Sequence, residues 1–394
     1  MSRISVMRPW LGPEEAEAVH RVLESGWIAQ GPRTAEFERA FARAQGVSHG
    51  VATSSGTAAL HLALVVAGIQ PGDDVIVPSF SFLAIANAVT YAGARPVFAD
   101  VDLITGNATA ETLDAVITPR TTAVIGVDQG GTPLDLDPVR ELCDRHSLAL
   151  VENAAGAVGS TYRDRPVGAG ADITVWSFDQ DAVLTTGEGG MLTTDNPEWA
   201  ARARRLREHA LETSAVERHE SVPSALERYP EVGFDYRMTD LQAAVGLVQL
   251  GKLPEMVRRR RALAHEYQDV LSTVPGLRYV TDPDYGRNNF QSFWIEVLPG
   301  FPLDRDELLA WLVADGISAR RGVMASHRQD AYAGHSGRVR PLPVTERLTD
   351  HTLVLPVFHT MTAEEHRRVT ESLQSASQAP RNRRGEGTPG VPPG

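Results

Sequence analysis

The sequence predicts an α/β protein: a mostly parallel sheet flanked by helices, followed by a smaller C-terminal α+β domain. Two observations carry this expectation. Short apolar runs rich in Val, Ile and Ala alternate with helical patterns through the first half of the chain, the rhythm of β-α-β units whose strands are buried on both faces. Near Thr239 that rhythm gives way to one long helical pattern, with few strand signals beyond it.

The elements follow in order. A strand ends at 51–53, and a helix runs over 56–68. Strand 74–77 leads to helix 82–92, strand 96–99 to helix 110–116, and strand 123–127 to helix 136–146. Strands 148–151, 173–176 and 191–194 complete the sheet. A long helix from about residue 239 to about 271 is the joint. Beyond it lie a strand at 293–297 and helices at 304–314 and 362–375. The expected domains are therefore 1–250, large and α/β, and 251–375, small and α+β. The segment 376–394 is rich in Pro and Gly without aliphatic periodicity and reads as a disordered tail.

Composition excludes several classes. The 394 residues carry 38 Lys+Arg against 50 Asp+Glu, a net charge of −12, so the chain lacks the basic face that nucleic acid needs. No apolar run approaches the roughly 20 residues of a bilayer span. The N-terminus shows no apolar signal core. The expectation is a cytoplasmic protein without a membrane partner. One cysteine, Cys143, permits neither an internal disulfide nor a thiolate metal cluster. There is also a single lysine, Lys252, so amine chemistry falls to that side chain or to none.

Two turns stand out. Ser54-Ser55-Gly56-Thr57 lies between a strand and a helix, where free amides and hydroxyls make either an anion site or an ordinary capped helix start. Gly187-Glu188-Gly189-Gly190 precedes a strand and marks either a tight turn or close backbone approach.

The residues resemble the sugar aminotransferase family of the DegT/DnrJ/StrS type, from about Arg8 to about Leu373. The matching segments include Ser25-Gly-Trp-Ile28, Ser54-Ser-Gly-Thr-Ala-Ala-Leu-His61, Pro78-Ser-Phe-Ser-Phe82 and Val97-Phe-Ala-Asp-Val-Asp102. Gly187-Glu-Gly-Gly190, Tyr236-Arg-Met-Thr-Asp-Leu-Gln242 and Leu355-Pro-Val-Phe358 continue the series. The resemblance implies the fold-type-I architecture of pyridoxal phosphate (PLP) enzymes, with a seven-stranded-type sheet. It also implies a small-molecule substrate and a homodimer with shared active sites.

Four positions depart from the family pattern. The Schiff-base lysine is expected five residues before the Gly-Glu-Gly-Gly turn, where this chain has Ala182; a methyl group cannot condense with an aldehyde. The family's aspartate at the pyridine nitrogen is Asn153 here, and Gly156 replaces its Gln or His beside the ring. The family's asparagine from the neighbouring subunit, at the cofactor phosphate, is Asp235. A carboxylate about 4 Å from a phosphate charge costs on the order of 4 kcal/mol at an effective dielectric near 20.

These departures lead to the expectation of a PLP-independent enzyme on a repurposed aminotransferase scaffold. It would need no cofactor and would catalyse an acid–base cyclisation, dehydration or isomerisation in natural-product biosynthesis. A pyridoxamine phosphate (PMP)-dependent deoxysugar dehydratase and a non-catalytic partner of an active aminotransferase are the alternatives. The catalytic candidates are Asp179, Asp181, Asp128 and His327, with two nearby carboxyls as raw material for an acid and a base. Solvated or capping roles for Asp179 and Asp181 remain open, since neighbours along an extended segment point apart. The ligand pocket is expected to draw on Ser55, Gly56, Thr57, Phe82, Asn153, Ser177, Gln180, Ala182 and the partner's Asp235. His209 and Arg237 lie near matched positions and read equally as structural.

Overall fold

The computed structural model describes residues 3–212, 227–333 and 340–380. Among the described residues nine strands precede the long helix. In chain order they are β1 (His49–Thr53), β2 (Asp74–Pro78), β3 (Arg95–Ala99), β4 (Thr121–Val127), β5 (Ala149–Asn153), β6 (Thr161–Tyr162), β7 (Arg165–Pro166), β8 (Ile173–Ser177) and β9 (Gly190–Thr194). Seven of them form the central sheet in the order β1-β9-β8-β5-β4-β2-β3. Its β2–β3, β2–β4, β4–β5 and β5–β8 pairs are parallel, and β9 runs antiparallel to both neighbours. Val, Ile and Ala fill these strands because helices cover both faces. The reversal at β9 arises because the 178–189 connection is a loop rather than a crossover helix.

The helices Pro13–Ser25 and Pro32–Gln45 were not expected from the sequence. Each begins with proline at its first turn and ends at a glycine, Gly26 or Gly46, with φ near 70°, the asymmetry that marks helix ends. Gly31 has no side chain to cap the second helix. Asp240, 209 residues away, does so instead: its carboxylate accepts from Gly31 N–H (2.8 Å), Arg33 N–H (3.0 Å) and Thr34 N–H (2.8 Å).

Asp240 also opens the long helix Asp240–Leu271, whose start is a reciprocal Thr239–Gln242 cap. This helix packs against both N-terminal helices and against the helix Ala363–Ser377. The C-terminal part adds β10 (Leu277–Tyr279), β11 (Gly286–Arg287), β12 (Phe293–Val297), β13 (Arg320–Arg321) and β14 (Thr352–Leu355). An antiparallel sheet of order β10-β12-β14-β13 results, while β11 joins β6 and β7. A separate core around Phe290, Phe293, Leu308, Leu353 and Leu373 backs it, with Ile4 from the N-terminus contributing. The two parts are tied by Asp100, which caps the helix Pro343–His351 through Val344 N–H (3.1 Å) and Thr345 N–H (2.7 Å). Of the expected tail, residues 376–380 finish the last helix and its end, and 381–394 lie outside the described residues. Among the described residues no helix is long and apolar enough to cross a membrane.

A buried ion pair holds the N-terminal layer to the sheet. Arg207 bonds Glu38 and the Ala52 carbonyl (2.7 Å), and Ala52 N–H donates to the same Glu38 (2.9 Å). Arg207→Ala leaves Glu38 with Ala52 N–H and a more distant Arg204 at 3.8 Å, so it is expected to cost about 3 kcal/mol, the low end for a broken buried pair, seen as a lower urea midpoint. An Arg207→Met, Glu38→Gln double variant should recover part of that loss, because it leaves no unpaired charge.

Candidate active site

The C-terminal ends of β1, β4, β5 and β8 open onto one cleft of about 740 Å³, the usual ligand position in such sheets. The opposite wall comes from the small sheet, through Arg320, Arg321, Val354 and Leu355, and from Val6 and Met7 of the N-terminus. Gln291 and Ser292 close one side. Their loop is anchored by the fully buried Arg260, which donates to the carbonyls of Phe290 (3.0 Å) and Gln291 (2.7 Å).

At one end sits the start of the helix Gly56–Val66. Ser55 caps it, its Oγ accepting from Ala58 N–H at 3.1 Å. The N–H groups of Gly56 and Thr57 have no partner among the described residues. Capping and an anion site thus coexist: one hydroxyl serves one amide and leaves two for a ligand. Packing forces the helix start into place. A Cβ on Gly56 would stand 2.8 Å from that of Ser177, and one on Gly190 would stand 2.4 Å from the Ser55 carbonyl. The Gly187–Gly190 turn is a true backbone requirement too, with Gly187 at φ 83°.

Phe82 lines the cleft with 67% of its surface exposed, an aromatic face free to cover a planar ligand. Asn153, Gly156 and Ser177 line it as well. Ala182, on the loop after β8, turns a buried methyl group to the cleft. Lys252 is elsewhere, clamped by Glu14 (2.8 Å) and Glu15 (2.8 Å) beside the Trp10 ring. Burial opposes its charge, but the hydrogen bonds to Glu14 and Glu15 outweigh that and raise the ammonium above its ordinary value. No described side chain offers a free amine to the cleft.

The structure brings Asp179 and Asp181 into the cleft but commits each separately. Asp179 accepts from the Ser177 hydroxyl (2.9 Å) and from Asp181 N–H (2.8 Å). Asp181 pairs with Arg320 of the small sheet at 2.6 Å. They are not a mutually repelling couple. Gln180 is exposed and outside the cleft lining. His327 is also outside: its Nδ1 meets Ser79 Oγ at 2.7 Å and its Nε2 faces Glu346 at 3.4 Å. Asp235 does not line this chain's cleft. Arg237 grips it at 2.7 and 2.8 Å, and His209 stands 3.8 Å away. The hydrogen bonds from Arg237 hold the Asp235 carboxyl below its ordinary value, so the charge expected to repel a phosphate already has a counter-ion. Glu188 of the glycine turn lines the cleft too, as do Arg320, Arg321 and Gln291, which were not singled out from the sequence; the Arg320-Arg321 dipeptide before Gly322 was the available signal.

Two carboxyls meet at the floor: Asp128 is part of the cleft lining, and Glu152 lies outside it on the next strand. Asp128, at the end of β4, accepts from Leu134 N–H at 2.7 Å through Oδ1, while its buried Oδ2 has no partner among the described residues. Glu152 lies on the adjacent strand β5 and meets the Thr174 hydroxyl at 3.2 Å. Burial, then the neighbouring Glu152, pushes Asp128 well up, and burial lifts Glu152 from 4.5 to about 7. The folded state therefore resists ionising Glu152. Stability should fall as pH rises from about 4.5 towards 7, because only the unfolded chain releases that proton freely. Glu152→Gln is expected to flatten this decline and raise the melting temperature above neutral pH, as calorimetry across pH would show.

A family model, the DegT/DnrJ/EryC1/StrS aminotransferase family, matches residues 9–374. GDP-perosamine synthase of Caulobacter vibrioides is 41% identical over 84% of this chain and 88% of its own length. The dTDP-4-dehydro-2,3,6-trideoxy-D-glucose 4-aminotransferase of Saccharopolyspora spinosa is 38% identical over 95% and 96%. Spr1654 of Streptococcus pneumoniae, assigned to the sugar aminotransferases and solved in PMP form, superposes with a TM-score of 0.90 at 26% identity over 95% of this chain and 99% of that one. These likenesses overturn the expectation of a PLP-independent lyase, cyclase or isomerase and the expectation of no cofactor: the relatives are sugar aminotransferases, and the structural neighbour carries the amine form of the cofactor. The physical reason is that the anion cradle is made of backbone amides at Gly56 and Thr57, which no side-chain substitution removes. An α/β sheet of this order, this cleft and a match over nearly the whole chain converge: the chain belongs to the DegT/DnrJ/EryC1/StrS aminotransferase family.

Proposed function

We propose that the chain is a nucleotide-sugar enzyme of the aminotransferase type that holds a cofactor of the pyridoxal phosphate class without a covalent bond, in its amine form. One observation carries the reading: an intact anion cradle at Gly56 and Thr57 shares a cleft with a methyl group at position 182. The residues fit the cofactor's phosphate and ring, and they do not fit its covalent attachment. The N–H groups of Gly56 and Thr57 would hold the phosphate, Phe82 would cover a ring face, and Asn153 would meet the ring edge. PMP bound there supplies the amino group that replaces a sugar carbonyl oxygen. Ser177, fixed by Asp179, keeps the helix start against β8 and so keeps the cradle aimed. Arg320 and Arg321, at the small-sheet wall, suit the diphosphate of an activated sugar. Such a substrate accords with a cytoplasmic setting. A homodimer is part of the reading: Phe234 and Tyr236 stack at 5.0 Å near the exposed Tyr91, so the 233–237 segment presents an aromatic surface for a partner.

Two measurements test it. In equilibrium dialysis the wild-type protein should retain PMP, and mass spectrometry should find an amino sugar after a nucleotide-linked keto sugar is added. Borohydride after PLP should label no cleft peptide of the wild-type chain, whereas Ala182→Lys should turn yellow and carry the label at position 182; failure of the wild-type chain to retain either form would sink the reading. Arg321→Ala is expected to weaken nucleotide-sugar binding about tenfold, the 1.4 kcal/mol of one lost charged contact, with PMP binding unchanged by calorimetry.

A further inference from the structure

The floor of the cleft has a hydrogen-bond polarity that its neighbours fix. Asn153 ends β5 and is 6% exposed. Its Oδ1 accepts from Ala155 N–H at 3.2 Å. A backbone N–H can only donate, so the amide orientation is settled: oxygen towards Ala155, nitrogen away from it. Nδ2 has no partner among the described residues and is not sealed from solvent. The group that Asn153 offers a ligand is therefore a donor.

Asn153 is hydrogen-bonded to no carboxylate among the described residues. The nearest carboxyls are Asp128, whose backbone N–H donates to the Asn153 carbonyl at 3.2 Å, and Glu152, the preceding residue. Asp128 Oδ2 is sealed from the cleft, and its Oδ1 is held by Leu134. Burial favours the neutral form of both carboxyls. Tyr285, also near Asp128, is pushed above its ordinary value by burial and neighbouring carboxyls, so it stays neutral. The other charged groups of the cleft are Asp179 and Asp181 on the β8–β9 loop, Glu188 beside the glycine turn, and Arg320 and Arg321 on the small sheet. Asp181 is neutralised by Arg320, and Asp179 is spent on Ser177 and on Asp181 N–H.

A protonated ring nitrogen is a donor and needs an acceptor; facing Asn153 it would meet another donor. We propose that Asn153 Nδ2–H donates to an acceptor atom at the ring edge, so that this site takes the cofactor pyridine with its nitrogen unprotonated. The inference rests on the cofactor reading above and deepens it: it names the protonation state that the chain selects. An unprotonated ring withdraws electrons weakly. Negative charge that develops beside the ring while the amine is transferred is therefore stabilised less here than beside a pyridinium.

The test is nitrogen-15 NMR of PMP labelled at the ring nitrogen, bound to the wild-type chain at neutral pH. The bound signal should sit at the position of neutral pyridine, and in Asn153→Asp it should move upfield to that of a pyridinium. Asp128→Asn should leave the wild-type signal unmoved. A pyridinium signal in the wild-type chain overturns the proposal, and so does its loss in Asp128→Asn, which would make Asp128 the acceptor. If Asn153→Asp binds PMP but its ring stays neutral, Asn153 does not set the state and the proposal fails. Absence of any bound signal, with dialysis also negative, instead removes the cofactor reading beneath it.

Discussion

The close seating of the helix Gly56–Val66 on β8 and β9 is the constraint on which the site depends. Two glycines permit it, one in the helix and one in the strand, and each lets backbone approach where a Cβ would collide. That contact aims two free amides into the cleft, places Ser177 beside the helix start, and sets the loop that carries Ala182. Because its elements are backbone, the cradle survives changes of side chain around it. The cleft can lose a covalent anchor and keep an anion site.

The charges around the cleft are arranged by the same logic of distance. Acids that look adjacent in the chain are separated in space by their partners: Asp179 serves the loop and Asp181 reaches across to the other sheet. The carboxyls that do bear on one another are Asp128, at the end of β4 in the cleft lining, and Glu152, on the neighbouring strand β5. The bridge from Asp181 to Arg320 ties the large sheet's loop to the small sheet at the mouth, while the neighbouring Arg321 is held by Asp306.

Much of the fold is legible in the sequence, for reasons visible in single elements. Helix Leu136–His146 and strand Phe293–Val297 have the residues that their periodicity indicates, because burial on one or both faces dictates it locally. The helices at Pro13 and Pro32 were missed although their proline and glycine ends were present; the cap of the second comes from Asp240, which no local window contains. At the site, the missing lysine at 182 and the amide at 153 can be read directly. What cannot be read is what they leave intact. The loss of a covalent anchor was taken for the loss of the cofactor, whereas retention here would fall to backbone amides, which carry no signature beyond a serine, a glycine and a threonine. The commitments of Asp179, Asp181 and Asp235 were equally hidden, being decided by arginines brought near only by folding.

The clamp on Lys252 has a practical side. Its ammonium is the chain's one lysine head group, and two glutamates and an indole occupy it. Reagents that seek amines, such as succinimidyl esters and aldehyde fixatives, therefore meet no unengaged lysine on the chain. A dye or cross-link placed on Lys252 would have to displace those two carboxylates, and would mark a residue outside the cleft lining.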